Sequence, residues 1–184
     1  MTRTTATKKS LAAVLLAAAL TATPTTAHAV ASHPAPPTTH TQTQTPSTEV
    51  RVVAPGEQVV AGAGVELWLT GEGKHWSTPE MDHQFRSVTD GNIDLNTPGI
   101  GVTMETLGDR YFLSGIYVTG QKAVRVVVNT SDGRVTASAI RLPGNPGWGV
   151  WYTDVPLHDT LTINKITLYD RQGNKITTFT PSHP

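Results

Sequence analysis

The chain has 184 residues, with 14 basic and 14 acidic side chains and no cysteine. The missing thiol excludes disulfides, zinc–thiolate sites, iron–sulfur clusters and cysteine nucleophiles together. No cluster of Lys or Arg forms the basic stripe that nucleic acid or anionic lipid requires, so neither is an expected partner.

The N-terminus has three zones. Arg3, Lys8 and Lys9 give a positive start, Leu11 to Leu20 is an unbroken run of Leu, Ala and Val, and a polar stretch ends in Ala27-His28-Ala29. This is the pattern of a cleavable signal peptide. The apolar run is also shorter than the roughly 20 residues a membrane-spanning helix needs. Residues 1–29 are therefore predicted to be a signal peptide, with Val30 as the mature N-terminus and a secreted, extracellular protein that is not inserted in the membrane. Removing Arg3, Lys8 and Lys9 removes no acid and leaves a net charge of −3.

Val30 to Thr48 reads VASHPAPPTTHTQTQTPST, with four prolines and no charged residue. Such a segment buries too little apolar surface to offset its ordering entropy, and its prolines favour extended polyproline II. It reads as a disordered arm, residues 30–48. The arm is either a passive spacer or a peptide that docks on a partner. In the second case Pro36, Pro37, Thr41 and Thr43 are candidate contacts, the Thr-Gln repeat adding as a strand to an exposed sheet edge.

From residue 49 to residue 184 the apolar period is two. Val65, Leu67 and Leu69 alternate with Glu66, Trp68 and Thr70; Val124, Val126 and Val128 alternate with Ala123, Arg125 and Val127; Val135, Ala137 and Ala139 alternate with Thr136 and Ser138. Each run predicts a strand with one face on a core. Ser131-Asp132-Gly133 and Gly173-Asn174 supply hairpin turns. About nine or ten strands at roughly 8–12 residue spacing predict an all-β fold, an immunoglobulin-like antiparallel sandwich, with a jelly roll as the runner-up. Leu161 and Ile163 fall on one face while Ile166 and Leu168 fall on the other, which predicts a bulge near Asn164-Lys165 or two separate strands. The segment from Thr78 to Phe85 is the nearest approach to a helix, at most one turn.

Four stretches carry possible chemistry. His75, Glu80, Asp82 and His83 mix imidazole and carboxylate, but without the spacing that places two His on one helix face, so a polar loop around Trp76 is the favoured reading. Asp90, Asn92 and Asp94 resemble the start of a calcium loop, yet Leu95 and Gly101 stand where that loop needs Gly and Glu, which favours a turn. Neither metal nor cofactor is therefore expected. Trp148-Gly149-Val150-Trp151-Tyr152 is the most aromatic stretch. Trp148, Val150 and Tyr152 share one face and Trp151 takes the other, so the strand is either buried on both sides or presents Trp148, Trp151 or Tyr152 as an exposed platform. Trp68 is expected to face away from the core, since Leu67 and Leu69 claim it, and Trp76 completes the aromatic candidates. Asp154 and His158 invite a catalytic reading, but no nucleophile elbow accompanies them. A carboxylate pair drawn from Glu66, Glu72, Glu80, Asp82, Glu105 and Asp154 keeps a small hydrolase as an alternative.

The layout of a polar Pro/Thr arm, Val30–Thr48, before a lone cysteine-free β-domain from Glu49 onward resembles the adaptor subunit of secreted umbrella toxin particles of filamentous soil bacteria. The resemblance implies a β-rich domain that joins a lectin subunit to a larger toxin subunit, its arm engaging the lectin. The hairpin of Val126–Ala137, the strand Trp148–Tyr152 and the hairpin of Ile166–Ile176 are also similar to extracellular β-domains of actinobacterial membrane-anchored regulators. The expectation is a non-enzymatic adaptor that binds another secreted protein. A carbohydrate-binding module using the same Trp and Tyr side chains is the main alternative.

Overall fold

The computed structural model describes residues 49–120 and 124–181. The signal peptide and the arm, with Pro36, Pro37, Thr41 and Thr43, lie outside the described residues. The described residues form strands and no helix. In chain order the strands are β1 (Arg51–Val52), β2 (Val59–Gly62), β3 (Val65–Thr70), β4 (Gly73–Ser77), β5 (Gln84–Ser87), β6 (Gly99–Ile100) and β7 (Thr103–Leu107). They continue with β8 (Arg110–Val118), β9 (Val124–Thr130), β10 (Gly133–Arg141), β11 (Trp148–Pro156), β12 (Ile163–Asp170) and β13 (Lys175–Phe179). Among the described residues thirteen strands thus stand where the periodicity predicts about nine or ten. The excess includes two-residue strands such as β1 and β6, whose pairing is set by a neighbour and leaves no local pattern.

Two sheets build the all-β sandwich. The larger runs β13-β12-β9-β10-β11-β8-β6, with β7 also paired to β8 and β1 to β10. The smaller runs β2-β3-β4-β5. Pairing is antiparallel everywhere except between β1 and β10, which run parallel. In the larger sheet β13 returns beside β6, so the twisted sheet nearly closes on itself.

This geometry creates two cores. The first fills the inside of the curled sheet with Leu113, Val126, Val128, Trp151, Ile166 and Leu168, all buried. The second lies where the small sheet covers the outside of β8, β10 and β11, and contains Val65, Leu67, Leu69, Trp76, Phe112 and Val150. Strand alternation explains the division, because side chains of opposite parity on one strand serve opposite cores.

β12 is one strand, and its register with β9 shifts between Ile163 and Lys165. That irregularity returns Ile163, Ile166 and Leu168 to the same core, as the predicted bulge requires. The β9–β10 hairpin closes through Ser131-Asp132, with Thr130 opposite Gly133. Gly133 takes φ of 128°, which glycine adopts without strain. The helical turn considered for Thr78–Phe85 is replaced by an open turn: Thr78 Oγ1 accepts from the amides of Glu80 and Met81, and the chain then enters β5. Thr78 and Pro79 favour this outcome, since a Ser/Thr hydroxyl offers the backbone a local alternative to the helical ladder.

Candidate binding surface

β11 lies between β10 and β8 in the larger sheet and is covered on both faces. Trp148, Trp151 and Tyr152 are 5%, 0% and 5% exposed. Trp148 and Tyr152 belong to the core under the small sheet, and Trp151 to the core inside the curled sheet. The exposed-platform reading of this stretch is therefore corrected to a doubly buried strand. Trp76 is also buried, its indole N–H donating to Glu105 Oε1 at 2.5 Å. A free recognition surface cannot be built from these four rings.

Trp68 behaves differently. Leu67 and Leu69 are fully buried and Trp68, between them, points to the outer face of the small sheet, partly exposed. The two-residue connection between Thr70 and Gly73 sets the register, which brings Trp68 opposite His75 on β4. His75 in turn stands opposite Phe85 on β5. Three rings thus line up across three strands. Trp68 and His75 stack with centroids 5.5 Å apart, and His75 and Phe85 meet at 4.6 Å. His83, from the connection before β5, stacks on both Trp68 at 5.3 Å and His75 at 5.1 Å.

Hydrogen bonds hold the imidazoles. His75 Nδ1 and His83 Nε2 are 2.8 Å apart, and His75 Nε2 lies 2.9 Å from Thr70 Oγ1. A bond between two imidazole nitrogens needs a donor N–H on one and a bare acceptor on the other. Burial, and then the neighbouring His83, push the His75 imidazole below its ordinary value of 6.5. The folded state therefore binds this proton less readily than the unfolded chain does. Its stabilising contribution is present above about pH 6.5 and is lost as pH falls below it. Thermal melts at pH 7.5 and 5.5 are expected to show a drop in Tm that is smaller in His75→Gln than in the parent protein. An equal drop in both would remove the imidazole pair as the cause.

The outer face around these rings mixes polar and apolar side chains, with exposed Glu66 opposite Val60. Phe85 is 45% exposed, Met81 40% and Val60, on β2, 68%. A cluster of aromatic rings on the solvent side of a sheet has the composition of an interface anchor. Of these residues Trp68, His75 and His83 stand out in the sequence, and Phe85 does not.

The remaining sequence candidates are dispersed. Asp90 and Asp94 accept from the backbone amides of Asn92 and Asn96, and Asp94 also takes the Thr97 hydroxyl. These are local Asx turns, and the bonds hold both carboxyls below the usual carboxylate range. Among the described residues no group of three or more His, Asp and Glu side chains converges as a metal cluster. Asp154 and His158 do not meet: Asp154 is paired with Arg110, and His158 Nε2 lies 2.7 Å from Asp132 Oδ2.

No protein-family model, no curated protein and no solved structure matches this chain. The described residues define an all-β sandwich domain.

Proposed function

We propose that this protein is a secreted, non-enzymatic adaptor that binds another protein within a larger extracellular complex. The carrying observation is the outer face of the small sheet, where Trp68, His75, His83 and Phe85 form one contiguous ring cluster. Rings already packed against one another lose little conformational freedom on binding, which suits them as interface anchors. The Val30–Thr48 arm supplies a second contact in this reading, engaging a lectin-like partner while the folded domain holds a larger subunit.

The test uses tagged protein from Val30 onward, wild type, Trp68→Ala and a form lacking 30–48, each mixed with culture supernatant of the source cells. The expected result is a stoichiometric partner captured by wild type and lost in Trp68→Ala or in the shortened form. Trp68→Ala is expected to weaken a folded-domain contact by about 2 kcal/mol or more, roughly thirtyfold. The exposed aromatic face also favours a carbohydrate ligand, since ring faces stack on sugars. Glycan-array binding abolished by Trp68→Ala, with no protein captured, would replace the adaptor reading with that one.

A further inference from the structure

Lys74 sits beside the ring cluster in sequence, yet it points the other way. It is 1% exposed, on the inner face of β4 with Trp76. Its Nζ donates to Ser114 Oγ on β8 at 2.8 Å and lies 3.9 Å from the centre of the Trp76 ring. An ammonium carries three N–H donors, and burying one without a counter-charge is costly. Among the described residues no carboxylate comes within ion-pair distance of it. Glu105, on β7, is the carboxylate whose charge acts on it; Glu105 Oε1 accepts from the Trp76 indole, and Oε2 is buried with no hydrogen-bond partner among the described residues. Ser114 and a π face are thus the direct partners of a buried cation.

Lys74 also lines a cavity of about 790 Å³ between the small sheet and the β6–β8 part of the larger one. That volume suits a small organic ligand. Arg86, the register partner of Lys74 on β5, lines the same cavity and is exposed. Two cations from adjacent strands therefore border one space. The lining also includes the apolar side chains of Phe85, Ile93, Ile116 and Val118. Asp94 borders the cavity too, held as a carboxylate by bonds from the Asn96 amide and the Thr97 hydroxyl, so the anion head has to sit on the Lys74–Arg86 side.

We propose that this cavity binds a small amphiphilic anion, with Lys74 and Arg86 meeting a carboxylate or sulfonate head and Trp76, Ile116 and Val118 holding an apolar body. Lys74 already feels the negative charge of Glu105, and the anion adds a direct ionic contact that Glu105 does not make. The cavity shares Phe85 with the ring cluster, but Trp68, His75 and His83 are not in its lining, and the proposal does not rest on the adaptor reading. Burial lowers the Lys74 amine to about 8, with Arg86 lowering it and Glu105 raising it. Anion affinity is therefore highest below pH 8, where the amine is charged, and falls as pH rises above it.

The test is fluorescence titration of the full chain with 1-anilinonaphthalene-8-sulfonate, an amphiphilic anion, and with N-phenyl-1-naphthylamine, its uncharged counterpart. Wild type is expected to bind the sulfonate at one saturable site, with affinity falling at least fivefold between pH 7 and pH 9.5. Lys74→Met is expected to weaken the sulfonate at least tenfold and leave the neutral dye unchanged, and Trp68→Ala to leave both unchanged. Arg86→Glu, at an exposed position, should also weaken the sulfonate and serves if Lys74→Met does not fold. The proposal is overturned if no saturable site exists, if Lys74→Met or Arg86→Glu binds the sulfonate like wild type, if affinity is flat across pH 7–9.5, or if Trp68→Ala abolishes binding.

Discussion

Trp151→Ala is expected to destabilise the domain by about 3–5 kcal/mol, the range for emptying an aromatic site in a core. Trp151 is fully buried at the centre of β11, with Leu113, Val126, Ile166 and Leu168 in the same core. Its removal leaves a void inside a sheet that nearly closes on itself, and the hydrogen-bonded strands around it have little freedom to collapse inward. Domain stabilities run from about 5 to 15 kcal/mol, so the loss takes a large share. The indole N–H also donates to Gly101 O at 3.0 Å, tying the connection between β6 and β7 to the core. Trp151→Phe isolates that tie: it keeps much of the ring and is expected to cost less, though more than the hydrogen bond's roughly 1 kcal/mol. Urea unfolding followed by circular dichroism measures both. A Trp151→Ala loss below about 1 kcal/mol would contradict the interior core.

Gly115→Ala is expected to cost about 3 kcal/mol or more, although it adds only one methyl group. Gly115 lies directly opposite Trp151 in the β8–β11 register. A Cβ placed there would stand 1.9 Å from Gly101 O and 2.7 Å from Trp151 Nε1. Both obstacles are fixed. The Gly101 amide donates to Ile116 O at 2.9 Å while its carbonyl receives the Trp151 indole, so the backbone that would have to move is held from two sides. Relief breaks one or both of those bonds. Gly120→Ala is the control, since a Cβ there meets nothing within 4 Å. Matching unfolding curves for Gly115→Ala and Gly120→Ala would show that the Gly101 connection yields freely.

Parts of the binding face were within reach of the sequence. The alternation of Val65, Leu67 and Leu69 puts Trp68 outward, and the structure agrees. A two-residue turn over Gly71-Glu72 would also have implied that Trp68 faces His75, because a hairpin turn sets the register on both sides. Phe85 was out of reach. It arrives opposite His75 only after an irregular connection, and such a connection carries no register information. Lys74 was missed for another reason: a lysine in a strand is ordinarily read as surface, and its inward direction appears only when it is paired with Trp76 on the core parity of β4.

The longer strands and their hairpins follow from the order of residues alone, because a period of two, turn glycines and the break at Asn164-Lys165 act over a few neighbours. All of these reappear in the β9–β10 and β12–β13 hairpins and in the irregularity of β12. What each strand face meets depends on contacts far apart in the chain. Whether Trp148 and Trp151 are platform or core was decided by the small sheet lying over one side of β11 and the larger sheet curling round the other. The pairing of Lys74 with Ser114, forty positions away, was decided in the same way. Local alternation determines that a strand has two faces, and only packing of the two sheets determines which face is left for solvent, a partner or a ligand.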